Sequence, residues 1–240
     1  MIIKSYLAEQ NHTGLDKKLL LFYGENLGLR NDFKRILKIK NHDSEILIFN
    51  QEDILKDDNL FYNEISNISL FEKEKVFFIN QVNDKILNII IELEAKENTH
   101  KFYFFSEILD KKSKVRNYFE KSQIYNAIPC YSDNELNLKK IILNRLEGFK
   151  GLTTYNINLI IENCNLNRDT LNNELNKILS YFEDKNLITE KLEKLLDLRI
   201  NDNFNNLKDQ ALSGSKTNTN KLLSDTIIDT EKNIYYLALI

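Results

Sequence analysis

A single proline and two cysteines in 240 residues exclude several architectures before any motif is sought. Cys130 and Cys164 are too few for a disulfide scaffold and need histidine help to hold zinc. His12, His42 and His100 are scattered, and none has metal-ligand spacing to a cysteine or to another histidine. No uninterrupted apolar run is long enough to span a bilayer, and the start, Met1 to Tyr6, lacks the charged-then-apolar build of a signal peptide. A cytoplasmic protein without membrane contact is therefore expected. Positive charge is not in excess: the formal net charge is -3, so no overall field draws the chain to nucleic acid, and any such contact must be local. What is present, 42% hydrophobic and 29% charged residues, is ordinary for a soluble globular protein with one large or two to three small domains.

Short apolar runs without alternation organise the first half. Leu19 to Tyr23, Ile46 to Phe49, Val76 to Ile79 and Phe102 to Phe105 read as buried strands, with Ile124 to Ile128 as a weaker fifth. Helical spacing separates them: Leu29, Phe33, Ile36 and Leu37 after Gly24; Ile86, Ile89, Ile90 and Leu93 behind a cap at Asn83; Val115, Tyr118 and Phe119 behind a cap at Asp110. Such a series predicts a mostly parallel sheet covered on both faces. Pro129 closes the region, and no strand pattern returns. Ser132 and Glu135 form a capping box, and Tyr131 and Leu136 occupy the positions of a hydrophobic staple. Helices are then predicted around Leu138 to Leu146, Ile157 to Cys164 and Leu171 to Phe182, and after a cap at Thr189. Cys164 shares a face with Ile157, Ile160 and Ile161 and reads as a buried thiol. Further helices are expected beyond Asn201, broken at Ser213-Gly214-Ser215. The sequence stops inside the apolar run Ile234 to Ile240, as a helix short of its packing partner would.

A strand, Gly24 and a helix stand where a phosphate-binding loop would sit. That motif needs a second glycine, a lysine and a hydroxyl, and those places hold Leu29, Arg30 and Asn31. The turn is kept and its phosphate chemistry is not. Gly28, one residue early, leaves a shifted loop as an alternative. The magnesium-holding carboxylate is missing too, since Asn80 and Gln81 follow the third strand. No Ser/His/Asp or Cys/His arrangement occurs, so neither a catalytic residue nor a metal site is expected.

Three stretches remain for binding. Leu70-Phe71, preceded by Ile68 and Ser69, lies just before the charged run Glu72 to Lys75. Spacing alone reads the pair first as a plug over the sheet, because most large apolar residues are inside, with an anchor for a partner's groove as the other reading. Basic clusters lie at Arg30, Lys34, Arg35 and Lys38 and at Lys111, Lys112, Lys114 and Arg116. Each reads as a solvated face by default, or as a contact to DNA backbone or to a partner.

Together these pieces resemble a family. Leu21 to Glu25, Ile68 to Phe71, Ile108 to Lys114 with Tyr118-Phe119, Ile128 to Tyr131, Asn173 to Ile178 and Leu187 to Thr189 are similar, in order, to the delta subunit of the bacterial DNA polymerase III clamp loader. The resemblance implies an α/β fold with a RecA-like AAA+ domain over 1–130, a helical lid over 131–198 and the first helices of a C-terminally incomplete collar over 199–240. It implies no cofactor and no catalysis of its own, the nucleotidyltransferase activity of DNA-directed DNA polymerase belonging to the holoenzyme. Its partners would be the sliding clamp, the other loader subunits and, indirectly or by backbone contact, DNA. Carried over residue by residue, Leu70 and Phe71 become the clamp anchor, with Ile68 and Ser69 shaping their approach. The rivals are an active AAA+ ATPase using a shifted Gly24/Gly28 loop and a plain adaptor in which Leu70 and Phe71 are core.

Overall fold

The computed structural model of the chain describes residues 1–67, 74–95, 99–196 and 204–225, with backbone alone at 204–206 and 224–225. The elements run α1 (Ser5–Asn11), β1 (Leu19–Tyr23), α2 (Leu27–Lys40), β2 (Glu45–Asn50), α3 (Gln51–Lys56), α4 (Asp58–Ser66), β3 (Lys75–Asn80), a 3₁₀ turn (Asp84–Ile86), α5 (Leu87–Ala95) and β4 (Lys101–Ser106). There follow α6 (Lys114–Lys121), β5 (Asn126–Pro129), α7 (Glu135–Arg145), α8 (Thr154–Cys164), α9 (Arg168–Tyr181), α10 (Thr189–Leu195), α11 (Phe204–Leu212) and α12 (Lys216–Asp225).

The described residues form two units: 1–141 with 164–172, and those of 142–163 with 173–225. The first holds one five-stranded sheet of order β2-β3-β4-β1-β5, parallel throughout. This is the parallel α/β sheet expected from the sequence. All five residues of β1 are buried because the strand lies inside the sheet, with its faces feeding two different cores. Leu19, Leu21 and Tyr23 join Phe77, Phe102, Phe104 and Phe119 on one face. Leu20 and Phe22 join Phe33, Phe78, Phe105 and Ile128 on the other, under α2. β2 is an edge strand and is only half-buried, which separates it from the fully apolar reading its sequence invites.

The caps differ from expectation in three places. Ser113, rather than Asp110, caps α6 by accepting the Arg116 amide at 3.2 Å. Asn134 accepts the Asn137 amide at 2.9 Å in front of α7, and Tyr131 and Leu136 are exposed, so neither the box nor the staple forms there. Thr189 is already the first residue of α10, whose cap position is Ile188. Asn83 does accept the Lys85 amide, at 3.1 Å, and Gly214, with φ +75°, breaks the chain between α11 and α12. Three helices, α1, α3 and α4, have no counterpart in the sequence reading.

In the second unit Ile142, Leu146, Ile157, Ile160, Leu175, Ile178, Phe182 and Leu192 are buried. Gly151 sits where a β-carbon would lie 2.2 Å from the Leu187 carbonyl, so the chain can pass there only without a side chain. Among the described residues no helix is long and apolar enough to cross a membrane. Leu70, Phe71, Ile68 and Ser69, and the end Ile234 to Ile240, lie outside the described residues.

Candidate functional site

The turn after β1 is the place where the sequence comes nearest to a known chemistry, and its geometry follows from Gly24. Its φ of +137° suits glycine alone, and a β-carbon would lie 2.2 Å from the Cys130 carbonyl oxygen. The close approach is thus to the protein's own backbone. The amides that a phosphate loop would aim outward are already used. Gly24 N–H donates to Glu107 O at 3.0 Å, Asn26 N–H to Cys130 O at 3.0 Å, and Leu29 N–H to the Asn26 side chain at 3.0 Å. The Asn26 amide group in turn donates to Tyr131 O at 3.1 Å and to Asp133 Oδ2 at 2.8 Å.

Charge at the turn has the wrong sign for a triphosphate. Glu25 Oε1 accepts both the amide and the hydroxyl of Ser132, at 2.8 and 3.0 Å, and the Ser132 amide bond leads in holding its carboxyl below the ordinary value. The Ser132 amide that a capping box would give to Glu135 thus goes to Glu25, and Asn134 takes the cap position of α7. Leu29, in the second-glycine place, is buried core. Arg30, in the lysine place, turns inward and donates from Nη1 to Ser106 O at 3.0 Å. Asn31, in the hydroxyl place, is exposed. At the end of β3, Asn80 stands where a carboxylate would be needed, with its Oδ1 buried and unpartnered.

Gly28, the residue that kept a shifted loop open, has another duty. A β-carbon there would lie 2.8 Å from Arg168 Cβ and 2.9 Å from the Asp169 amide, so the start of α9 is seated on it. Two left-handed residues, Asn165 (φ 51°) and Leu166 (φ 58°), turn the chain into that start, and Asn167 caps it by accepting the Thr170 amide at 2.9 Å. Arg168 then reaches a nest of carboxylates. Its Nε and Nη2 form a two-pronged pair with Asp133, both at 2.8 Å, and Nη1 meets Glu9 at 2.5 Å and Asp32 at 3.2 Å. The Arg168 and Asp133 side chains are only 2% and 3% exposed. These carboxylates raise the guanidinium's pKa against the opposing effect of its burial. The sequence reading contains none of these four residues as a group, because the partners of Arg168 are as far as 159 positions away in the chain.

The other predicted site residues fall in two places. The stretch Ile68 to Phe71 lies outside the described residues, and the elements before and after it are joined to each other. On one side, Lys75 Nζ is buried and donates to Glu64 O at 2.7 Å and Glu64 Oε2 at 3.3 Å; on the other, His100 takes the Lys75 amide on Nδ1 and meets Ile65 O through Nε2, both at 3.2 Å. The C-terminal end of α4 and the start of β3 are thereby tied together. Lys111, Lys112 and Lys114 are exposed, whereas Arg116 is spent internally. It donates to Glu120 at 2.8 Å and Leu109 O at 3.0 Å, with its guanidinium 4.9 Å above the Tyr23 ring. The Tyr23 hydroxyl also donates to Glu120, at 2.7 Å, and burial followed by that contact pushes its pKa up.

No protein-family model matches the sequence, and no curated protein matches it. Solved structures do. The Bacillus subtilis DNA clamp loader delta protein (YqeN) superposes at TM-score 0.59 with 15% identity, covering 98% of this chain and 74% of that one. The fold is that of a clamp loader delta protein. The Thermotoga maritima RuvB Holliday junction branch migration motor matches at TM-score 0.46 with 14% identity, over 80% of this chain and 65% of that one. Among the described residues no cluster of three or more His, Cys, Asp or Glu is arranged to hold a metal.

Proposed function

We propose that the chain is a non-catalytic clamp-loader subunit that binds and opens the sliding clamp during DNA replication. The observation that carries this reading is the likeness to a clamp loader delta protein over nearly the whole chain. The occupied turn at Gly24 to Asn31 supports the absence of catalysis, and Gly28 beneath Arg168 argues against a shifted-loop ATPase. In this reading 1–130 is the RecA-like domain, 131–198 the lid and 199–240 the first part of a collar. Polymerase activity belongs to the holoenzyme, and the cytoplasm is the setting.

Mechanistically, Leu70 and Phe71, approached by Ile68 and Ser69, enter an apolar groove on the clamp, and preferential binding to the open or relaxed ring shifts its equilibrium. Burying two such side chains is worth about 3–6 kcal/mol, so the pair suffices to make a specific anchor. The fixed flanks at Glu64, Lys75 and His100 give that anchor a firm base. The test is a pull-down and titration with the same organism's clamp. Leu70→Ala with Phe71→Ala should weaken binding by about 100-fold or more while leaving the thermal midpoint nearly unchanged. A large fall in midpoint would instead make the pair core, and unchanged clamp affinity in a folded double variant overturns the assignment.

A further inference from the structure

The two edges of the sheet are finished differently. Beside β5 lies the segment Met1 to Ile3: Ile3 N–H donates to Ala127 O and Ala127 N–H to Met1 O, both at 2.9 Å. That edge is covered by the chain itself. Among the described residues nothing pairs with the outer side of β2.

The register shows which backbone groups are left over. Glu45 N–H donates to Glu74 O at 3.1 Å, and Glu45, Leu47 and Phe49 stand opposite Lys75, Phe77 and Ile79 of β3. Successive residues of a strand direct their N–H and C=O groups to opposite sides. Glu45, Leu47 and Phe49 therefore spend theirs on β3, while Ile46 and Ile48 point two donors and two acceptors away from the sheet. The side chains add to this open ladder. Ile48 is 58% exposed although it sits in mid-strand, and Ile46, Leu47 and Phe49 are only half-buried. Edge strands are ordinarily blunted by lysine, proline, a bulge or shortness. Glu45–Asn50 has none of these devices: all six residues stay in register with β3, and the one charge is at the first position.

We infer that β2 is a self-pairing edge, through which two copies of this chain join antiparallel into one continuous sheet. The free backbone groups select an extended strand as occupant, and the sequence of β2 selects a second copy. Identical strands that meet by the same edge run antiparallel about a two-fold axis, so the contact closes after two copies. With the axis at Leu47, Ile46 stands opposite Ile48 of the second copy and Leu47 opposite its own equivalent. Glu45 falls opposite the second copy's Phe49, so apolar residues oppose each other in the centre and no like charges meet. The inference does not rest on the clamp-loader reading, and its test uses no clamp.

The test is sedimentation equilibrium of the full chain, joined to amide hydrogen exchange at low and high concentration. Concentrations up to about 1 mM are needed, since an interface of small area is weak. The mass is expected to rise towards that of two chains. The Ile46 and Ile48 amides should gain about tenfold or more protection as it does, whereas those of Leu47 and Phe49, bonded to β3, should be protected throughout. Ile48→Lys places a charge at an exposed position, so the thermal midpoint should hardly move. It should weaken association by about tenfold or more and remove the concentration-dependent protection. Leu27→Lys, at another exposed apolar residue on α2, should change neither. A monomer at every concentration, a dimer that leaves the Ile46 and Ile48 amides unprotected, or equal association by a folded Ile48→Lys variant overturns the inference. Binding of a synthetic peptide of residues 44–50 by a chain that stays monomeric overturns it in favour of a strand from another protein.

Discussion

Arg168 is the residue whose loss should be felt most widely, because removing it leaves Asp133, Glu9 and Asp32 gathered around a missing charge. Breaking a buried pair by deleting one partner costs about 3–5 kcal/mol, and Arg168→Ala is expected to lower the free energy of unfolding in urea by that amount. Arg168→Lys should recover little, since a point charge cannot reproduce the two-pronged contact with Asp133. At Gly24 the positive φ and the Cys130 carbonyl act together, so Gly24→Ala should cost about 1–3 kcal/mol from backbone strain alone. A Gly24→Ala protein as stable as wild type would show that the turn relaxes without cost.

At the scale of elements, Asp84 joins the 3₁₀ turn to α6. Its Oδ1 accepts the Ser113 hydroxyl at 2.6 Å and the Val115 amide at 3.0 Å, a carboxylate placed at a helix N-terminus. Burial alone would raise its pKa, but these bonds outweigh burial and hold it below the ordinary value. A depressed carboxylate contributes stability at neutral pH that is lost as pH falls through its native pKa. Urea unfolding between neutral pH and about pH 3 should therefore show a weaker pH dependence in Asp84→Asn than in wild type. Identical slopes would remove the carboxylate from the linkage. The strands were legible because β1, β3 and β4 are apolar runs buried on both faces, a pattern that needs no knowledge of neighbours. α3 and α4 were not, because each places only one apolar residue in the core, Ile54 and Phe61, too few to mark a helical period. The capping box at Ser132 was misread because the Ser132 amide goes to Glu25, 107 positions away, instead of to Glu135, a partner that local spacing cannot reveal. The degenerate turn was visible in Leu29, Arg30 and Asn31. The seating of Arg168 on Gly28 and its pairing with three carboxylates were not, since they depend on residues brought together only by the fold.

For the whole molecule, the expectation is indifference to nucleotide. A ligand that binds the native state with micromolar affinity stabilises it by about 4 kcal/mol at a thousandfold excess over Kd. Millimolar ATP with magnesium should therefore leave the thermal midpoint unmoved, and a saturable rise of several degrees would contradict the closed turn. The seat that Gly28 provides for α9 has a consequence for retrofitting the chain. Rewriting Leu29, Arg30 and Asn31 as Gly, Lys and Thr spells a complete phosphate-binding signature from Gly24 onward. Any pattern search would then label the product a nucleotide binder. The edit nevertheless leaves Glu25 bound to Ser132, Asn26 bound to Asp133 and the backbone of Asp169 lodged over residue 28. The rewritten chain should carry the signature and still bind no ATP, so in this fold vacating the space must come before restoring the letters.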